Sequence, residues 1–563
     1  MGNAGTGLGV LGDVSTDTEG LLRAGMQRFA ADIQAPAELA APRGPGRRRA
    51  RAARRLLPDW TLIAGPAVTA GMTLWGIRAH SYWGDETDTV SAVSRSVPQL
   101  VRLLGHIDAV HGLYYLLLWP VATVAGTGEL AMRLPSVLAM AGAAAGVSVI
   151  ARRLAGRRAG LYAGLVFAVL PTVSLQGQDA RPYAVVTAAA VLASYLLIRA
   201  AGDPRARWLA GYGLSIVLVG YLQMFGLLLA AAHLVTLAGL SWRRAAAAGG
   251  RPWLTWRGLT WRGPARRWLV TFTAAGVALL PLLIIGWAQR AAIAWITRPG
   301  WSAAGGAVSS LAAGSLASVI VLGLLCALGV HGGPRGRWPV QADQPVPPWA
   351  AAAGSRVLGW LAVPWLLLPP AVLLVVSQVK PVYNGRYITY CLPAVALLAG
   401  CGLAALRQPV RAGALALVVA LAVPPQLALR APDGGIRAAA QFLRGHEQPG
   451  DAIIYPDSLI PPWALAYPDG FAGLRDLSLR QTAATAGLLY ATTVPRPVLE
   501  QREQTARRIW AVQSGPGGDP AAYLAPGFRL AHEWTLGGYT KIWLFTKALS
   551  GPGEPGRRLG RAW

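Results

Sequence analysis

The feature that most constrains this chain is a series of apolar runs, each about 18 to 22 residues long, separated by short basic links. A helix of that length spans the hydrocarbon core of a bilayer, so most of the 563 residues are committed to membrane helices. Composition agrees, with 54% hydrophobic and 14% charged residues, against about 25% charged in a soluble domain. The net charge of +27 would on its own suggest nucleic acid. Its placement argues otherwise, because Arg and Lys collect in the links, as in the cytoplasmic loops of membrane proteins. The expected partner is therefore a lipid bilayer and no nucleic acid. Cys326, Cys391 and Cys401 all lie inside apolar runs, which implies no disulfide framework.

Charge orders the spans. Residues 1–56 carry no sustained apolar period and end in "RGPGRRRARAARR". They read as a disordered, basic cytoplasmic tail, too long for a signal peptide. The first span, 60–77, then runs outward and delivers Asp85, Glu86 and Asp88 to the outer face. The links 152–158, 199–207, 241–268, 331–356 and 407–411 are basic and hence cytoplasmic. Between Asp85 outside and 152–158 inside there is room for one crossing, yet two apolar runs lie there. The first, 111–125, holds Pro120 and stops at Gly126, and is expected to lie in the outer interface. The second, 130–150, crosses. The total is eleven spans over 57–429, plus that juxtamembrane helix.

Residues 430–548 differ in kind. "DGGIRAAAQFLRGHEQPG" reads as a helix, 452–455 and "RRIWAVQS" as strands, and 528–547 as two strands joined through Gly537-Gly538. This is expected to be a small extracytoplasmic α/β domain, followed by a flexible tail, 549–563.

The outer segments carry the polar chemistry. The first brings Asp85, Glu86 and Asp88, then His106, Asp108 and His111; the second brings Gln178, Asp179, Arg181 and Tyr183. A third has Tyr221 and Gln223, and the last has Lys380, Tyr383, Asn384, Arg386 and Tyr387. Ionisable groups at the bilayer edge are costly unless paired or functional. This set suits a carboxylate working beside a bound anion. Plainer readings fit parts of it. Asp85-Glu86 could be a solvated loop, Asp108 a helix cap, Asp179–Arg181 a local ion pair, and Lys380 and Arg386 headgroup contacts.

Asp85-Glu86 is followed in order by "HGLYYLL", "GTGELAMRLPSVLA", "RRLAGRRAGLYAGLVFAVLP" and "QDARPYA". That series resembles the protein O-mannosyltransferase and aminoarabinose-transferase superfamily over about 60–406. "RAAAQFLRGHEQPGDAIIY" resembles the extracytoplasmic domain of its bacterial members. The resemblance implies a GT-C fold, that is, a bundle of about eleven transmembrane helices with an outer juxtamembrane helix and a small C-terminal α/β domain. It also implies transfer of a sugar, mannose by family, from a polyprenyl-phosphate-linked donor to a hydroxyl of a glycan, lipid or protein outside the membrane. By position Asp85 matches the catalytic aspartate and Asp179 the second acidic position. His111 stands where relatives have Lys or His before Pro-Pro-Leu. Two departures stand out: Gly112-Leu113 replaces the Pro-Pro, and Asp88 occupies a position where many relatives have Arg.

Transfer to a hydroxyl needs a base for the acceptor proton and cations for the leaving phosphate. The expected catalytic set is Asp85, Glu86 and Asp179, with Arg386, Lys380, His111 and Arg181 on the donor phosphate. Asp108, Tyr183, Tyr383 and Gln223 are expected to touch substrate. Neighbouring carboxylates either gain proton affinity or hold a metal, so Asp85 and Glu86 are also candidate ligands for a divalent cation, Mg or Mn. No Gly-rich nucleotide loop follows a strand, which argues against a soluble nucleotide-sugar donor. The competing functions are a transporter or flippase of lipid-linked sugars and an inactive scaffold of the same fold.

Overall fold

A computed structural model describes residues 59–247, 264–312, 314–331, 348–455, 459–514, 524, 526–538 and 540–547. The expected tails 1–56 and 549–563, and much of the basic links 241–268 and 331–356, lie outside the described residues.

Helix α1 (Trp60–Leu74) leads into a loop and two short helices, α2 (Gly84–Val93) and α3 (Val97–His106). Then come α4 (Gly112–Ala125), α5 (Glu129–Ala155), α6 (Arg157–Val169), α7 (Pro171–Gly177), α8 (Tyr183–Gly202) and α9 (Ala206–Leu222). The bundle closes with α10 (Leu228–Ala247), α11 (Pro264–Ala288), α12 (Trp301–Leu311), α13 (Leu316–His331), α14 (Pro348–Val376), α15 (Leu392–Ala405) and α16 (Gln408–Ala428). Among the described residues seven helices are long and apolar enough to cross a membrane, or nine if each of two bent pairs is one span. The expected eleven is reached only by adding α1 and α9, whose 15 and 17 residues are shorter than a full span. Both pack lengthwise in the bundle, α1 against α5 and α6, α9 against α8 and α11.

Helix α4 does not traverse the bundle. His111 at its start meets Arg181, and Thr127 just beyond its end accepts a hydrogen bond from Tyr82 at 2.9 Å. Its two ends therefore lie at the same end of the bundle, as the alternation of charge requires.

The break between α6 and α7 is local chemistry. Residues before proline avoid the helical region, and Leu170 is extended at ψ 122°. Pro171 then opens α7 at 66° to α6, which aims the segment after Gly177 at α2. Helix α15 is the buried centre of the bundle. Its Gly400 and Gly402 meet Ala163 and Leu325 so closely that a Cβ would come within 2.4 and 2.0 Å of backbone. Small residues allow that approach, and they seat the 3₁₀ turn Gly385–Cys391 that carries Arg386.

The C-terminal domain is α/β. Helix α17 (Ile436–His446) packs on a sheet of β1 (Ala452–Ile454), β3 (Arg475–Asp476), β6 (Arg508–Ser514), β7 (Phe528–Leu536) and β8 (Thr540–Lys547), in the order β3-β1-β6-β8-β7. Gly537 and Gly538 make the β7–β8 turn at φ 58° and 73°, a region that glycine enters without strain. A second small sheet joins β2 (Leu459–Ile460), β5 (Ala491–Thr493) and β4 (Leu479–Gln481). Nothing in the sequence pattern marks it, because its strands are two or three residues long.

Candidate active site

Helix α2 places Asp85 and Glu86 in its first turn, where the helix dipole favours acids. Successive residues on a helix point about 100° apart, so the two carboxylates face different neighbours. Glu86 turns inward and is fully buried. Its oxygens accept from Arg133 at 2.6 and 2.8 Å, from the Ala180 amide at 2.8 Å and from the Trp83 amide at 3.4 Å. Arg133, from α5, also donates to the carbonyls of Ile77, His80 and Ser81 at 2.7 to 3.2 Å. One buried pair thus ties together α2, α5, the loop after α1 and the segment after α7.

Asp85 turns the other way. Its Oδ2 lies 3.2 Å from Arg386 Nη1, and both side chains are well exposed. The Arg386 guanidinium lies 3.9 Å above the Trp83 ring, and Trp83 Nε1 donates to Asp179 Oδ1 at 3.1 Å. Asp85, Arg386, Trp83 and Asp179 therefore form one connected chain. Asp179 is otherwise buried; burial pushes its carboxyl up to about 7, and Glu86 adds to this while the Trp83 bond and Arg181 oppose it.

Arg181 sits beneath this chain. It donates to the Asp85 carbonyl at 3.2 Å and to Thr89 Oγ1 at 3.3 Å, and its Nη2 lies 3.3 Å from His111 Nε2. Arginine only donates, so His111 accepts at Nε2 and donates through Nδ1 to Asp108 Oδ1 at 2.8 Å. Tyr115 donates to the other Asp108 oxygen. Burial alone would raise the Asp108 carboxyl, but His111, Arg181 and Tyr115 hold it below the usual range. Asp108 has φ 66°, the one positive value outside glycine among the described residues. Gln289 braces that turn, accepting from the Ala109 amide at 2.9 Å and donating to Leu104 O at 2.8 Å.

The remaining expected residues divide. Tyr183 is buried at the start of α8. Tyr383 is half-buried near the Arg386 turn. Gln223 is buried, and neither of its side-chain polar atoms has a partner among the described residues. Lys380 is placed elsewhere, with its ammonium 4.4 Å over the Trp287 ring. Asp88 faces the C-terminal domain: Tyr490 donates to its Oδ2 at 3.4 Å, and its Oδ1 is buried with no partner among the described residues. Burial pushes its carboxyl up to about 7, with Arg181 opposing and Asp85 adding.

The metal expectation does not fit this geometry. Glu86 spends its oxygens on Arg133 and two amides, so it shares no ligand position with Asp85. Among the described residues no group of three or more His, Cys, Asp or Glu side chains could hold a metal ion.

Other contributors were not singled out from the sequence. Arg133 was visible there as a charge within an apolar run, a signal of buried pairing. The C-terminal domain's grip on the loop before α2 left no such mark. Asp433 accepts from Ser81 N and Oγ at 3.0 Å, and Arg437 pairs with Glu129 at 2.6 Å. Tyr467 donates to Glu129 at 2.6 Å while accepting from the Tyr82 amide at 2.7 Å.

Two cavities meet at Arg386. One of 300 Å³ is lined by Trp83, Glu86, Arg133, Asp179 and Asp433; the other, of 500 Å³, is mostly apolar and includes Pro171, Leu175 and Pro425. Leu175, Gln176, Arg386 and Leu429 line both.

Residues 113–259 match the family described as dolichyl-phosphate-mannose-protein mannosyltransferase. No curated protein matches the sequence. In structure the chain is similar to ArnT from Cupriavidus metallidurans bound to undecaprenyl phosphate, at TM-score 0.51 and 13% identity, covering 88% of this chain and 99% of that one. It is similar to the apo form of the same protein at TM-score 0.52 and 13% identity, covering 86% and 97%. The chain is thus a multi-pass membrane protein with the GT-C fold, carrying a segment that matches the dolichyl-phosphate-mannose-protein mannosyltransferase family.

Proposed function

We propose that this protein is an integral-membrane glycosyltransferase that moves a sugar, mannose by the family matched, from a polyprenyl-phosphate donor to an acceptor hydroxyl. The described basic links, 152–158, 199–207 and 407–411, lie at the opposite end of the bundle, so by the positive-inside rule the site works outside the membrane. The acceptor is a glycan, a lipid or a protein side chain.

The observation that carries this reading is the part-exposed Asp85–Arg386 pair, 3.2 Å apart, whose Arg386 lines both cavities. The larger cavity, with Pro171, Leu175, Pro425 and Leu429 in its wall, suits the first isoprene units of a lipid tail, and the smaller one, which holds the acids Glu86 and Asp179, suits a sugar and its acceptor. The undecaprenyl phosphate of the similar ArnT structure supports a lipid phosphate of this class. In the reaction Asp85 takes the acceptor hydroxyl proton as that oxygen bonds to the anomeric carbon. The bond from that carbon to the phosphate oxygen breaks, and its electron pair leaves on the lipid phosphate. Charge grows on the phosphate as this happens, and Arg386 and Arg181 are fixed cations beside it. A single displacement inverts the anomeric centre. Glu86 and Asp179 act by positioning, and no step is routed through a metal.

A transporter would keep its ionisable groups near the membrane mid-plane. The buried His233 is the candidate there, and its ring nitrogens lie 3.0 and 3.3 Å from the Ser194 and Tyr212 hydroxyls, a local helix-to-helix link.

Asp85→Asn tests the assignment. The variant keeps the shape and removes the proton acceptor, and loss of a general base lowers rate by about 10² to 10⁴. Transfer from polyprenyl-phosphate mannose, measured on purified protein, should fall by that factor with the melting temperature unchanged. Near-normal transfer would remove Asp85 from the role.

A further inference from the structure

A further cavity lies far from this chemistry. It is a cleft of 840 Å³ between α9 and α11, walled by Leu209, Ala210, Leu214, Val217, Val270 and Ala274. Both helices have their other ends at the active site, where Gln223 follows α9 and Gln289 braces the Asp108 turn. The cleft therefore occupies the opposite end of the bundle.

Its depth and its charge identify what fits. The lining runs from Ala206 to Val217 on α9 and from Arg266 to Ala275 on α11. At 1.5 Å per residue that is roughly 15 Å of helix, the thickness of one leaflet of a hydrocarbon core of about 30 Å. The wall is apolar along this length and basic at its mouth. Arg266 and Arg267 line the mouth, both exposed, and Arg267 donates to Pro204 O at 3.0 Å. Beside them Arg199 and Arg207 flank the Trp208 ring at 4.3 and 4.8 Å. The nearby acid, Asp203, is already paired with Arg205 at 2.8 Å. An apolar slot one leaflet deep, capped by guanidinium groups that no acid neutralises among the described residues, is complementary to an acyl chain under an anionic headgroup.

We infer that the α9–α11 cleft is a binding site for an anionic phospholipid of the leaflet opposite the active site, with its phosphate on Arg266 and Arg267 and an acyl chain between the helices. Clustered basic residues at such a depth attract acidic lipids, and guanidinium grips phosphate in two-point fashion. The site is independent of the glycosyl-transfer reading, because it shares no residue with it.

The test is direct. Full-length protein in detergent is mixed with phosphatidylglycerol or phosphatidylcholine, and retained lipids are counted by native mass spectrometry. Wild type should retain phosphatidylglycerol on the order of tenfold better, and its melting temperature should rise with that lipid alone. Arg266→Ala with Arg267→Ala should abolish the preference, whereas Arg158→Ala with Arg356→Ala, which removes equal charge from the same end, should keep it. Ala210→Trp, which fills the cleft, should lose the lipid with both arginines intact. Equal retention of the two lipids by wild type overturns the inference. So does a preference that survives both the double arginine change and Ala210→Trp.

Discussion

Asp85 and Glu86 are neighbours in sequence, alike in chemistry, and each paired with an arginine, yet their surroundings are opposite. The Glu86 and Arg133 side chains are 1% and 3% exposed, and those of Asp85 and Arg386 are 38% and 40% exposed. A pair as buried as the first costs a great deal to break, because its survivor is left as an uncompensated charge. A pair as open as the second contributes little to stability and can be parted by a substrate. By its burial Glu86 holds the site together, while Asp85 is open to a substrate, as the proposed reaction requires.

Removing half of the buried pair gives the largest expected effect on the fold. Glu86→Gln leaves Arg133 charged and buried, at a cost of roughly 3 to 5 kcal/mol. The measurement is the melting temperature and yield of purified protein, both of which should fall well below those of Asp85→Asn. If Glu86→Gln is as stable as wild type and merely inactive, the division of roles between the two acids is wrong.

The exposed pair should behave in the reverse way. Arg386→Ala removes a cation from the developing charge, and loss of one such stabilising group costs about 10²-fold or more in turnover. Arg386→Lys keeps the charge and loses the planar two-point grip and the stacking on Trp83, so it should recover only part of the loss. Stability should stay near wild type in both variants. Wild-type turnover by both at saturating donor would show that Arg386 meets lipid headgroups and not the donor phosphate.

Much of the fold was legible because the bilayer forces a simple code. Apolar length marked the spans, and basic links set their alternation. Together they required 111–125 to return to its own side, as α4 does. The site was legible where an acid or a base stands in a polar segment, as with Asp85, Asp179, Arg181 and Arg386. It was illegible where the contact joins distant segments. Trp83 carries no charge to mark it in the sequence, and it is the link between Arg386 and Asp179. Lys380 reads as a phosphate ligand, and its contact with the Trp287 ring could not be foreseen from the sequence. Glu86 reads as a partner of Asp85, and only the helical rotation between them separates the two.

One turn along from Asp85, on the same helix face, stands Asp88. Residues three apart share a helix face, so Asp88 adds a second carboxylate there, pressed against Tyr490 of the C-terminal domain. Arg181, Asp85, Asp108 and Tyr490 are the charged and titratable groups that face it. Burial raises its folded value to about 7 from 3.8, so the folded protein binds this proton more tightly than the unfolded chain does. Stability from Asp88 is therefore full below about pH 4 and is lost as pH rises through about 7. Asp88→Asn is neutral at every pH and can still accept from Tyr490. It should raise the melting temperature by a few degrees at pH 8, with the gain shrinking toward pH 5. A loss of stability at pH 8 would instead show that charged Asp88 is held by Arg181, and that this position does supply a working negative charge to the site.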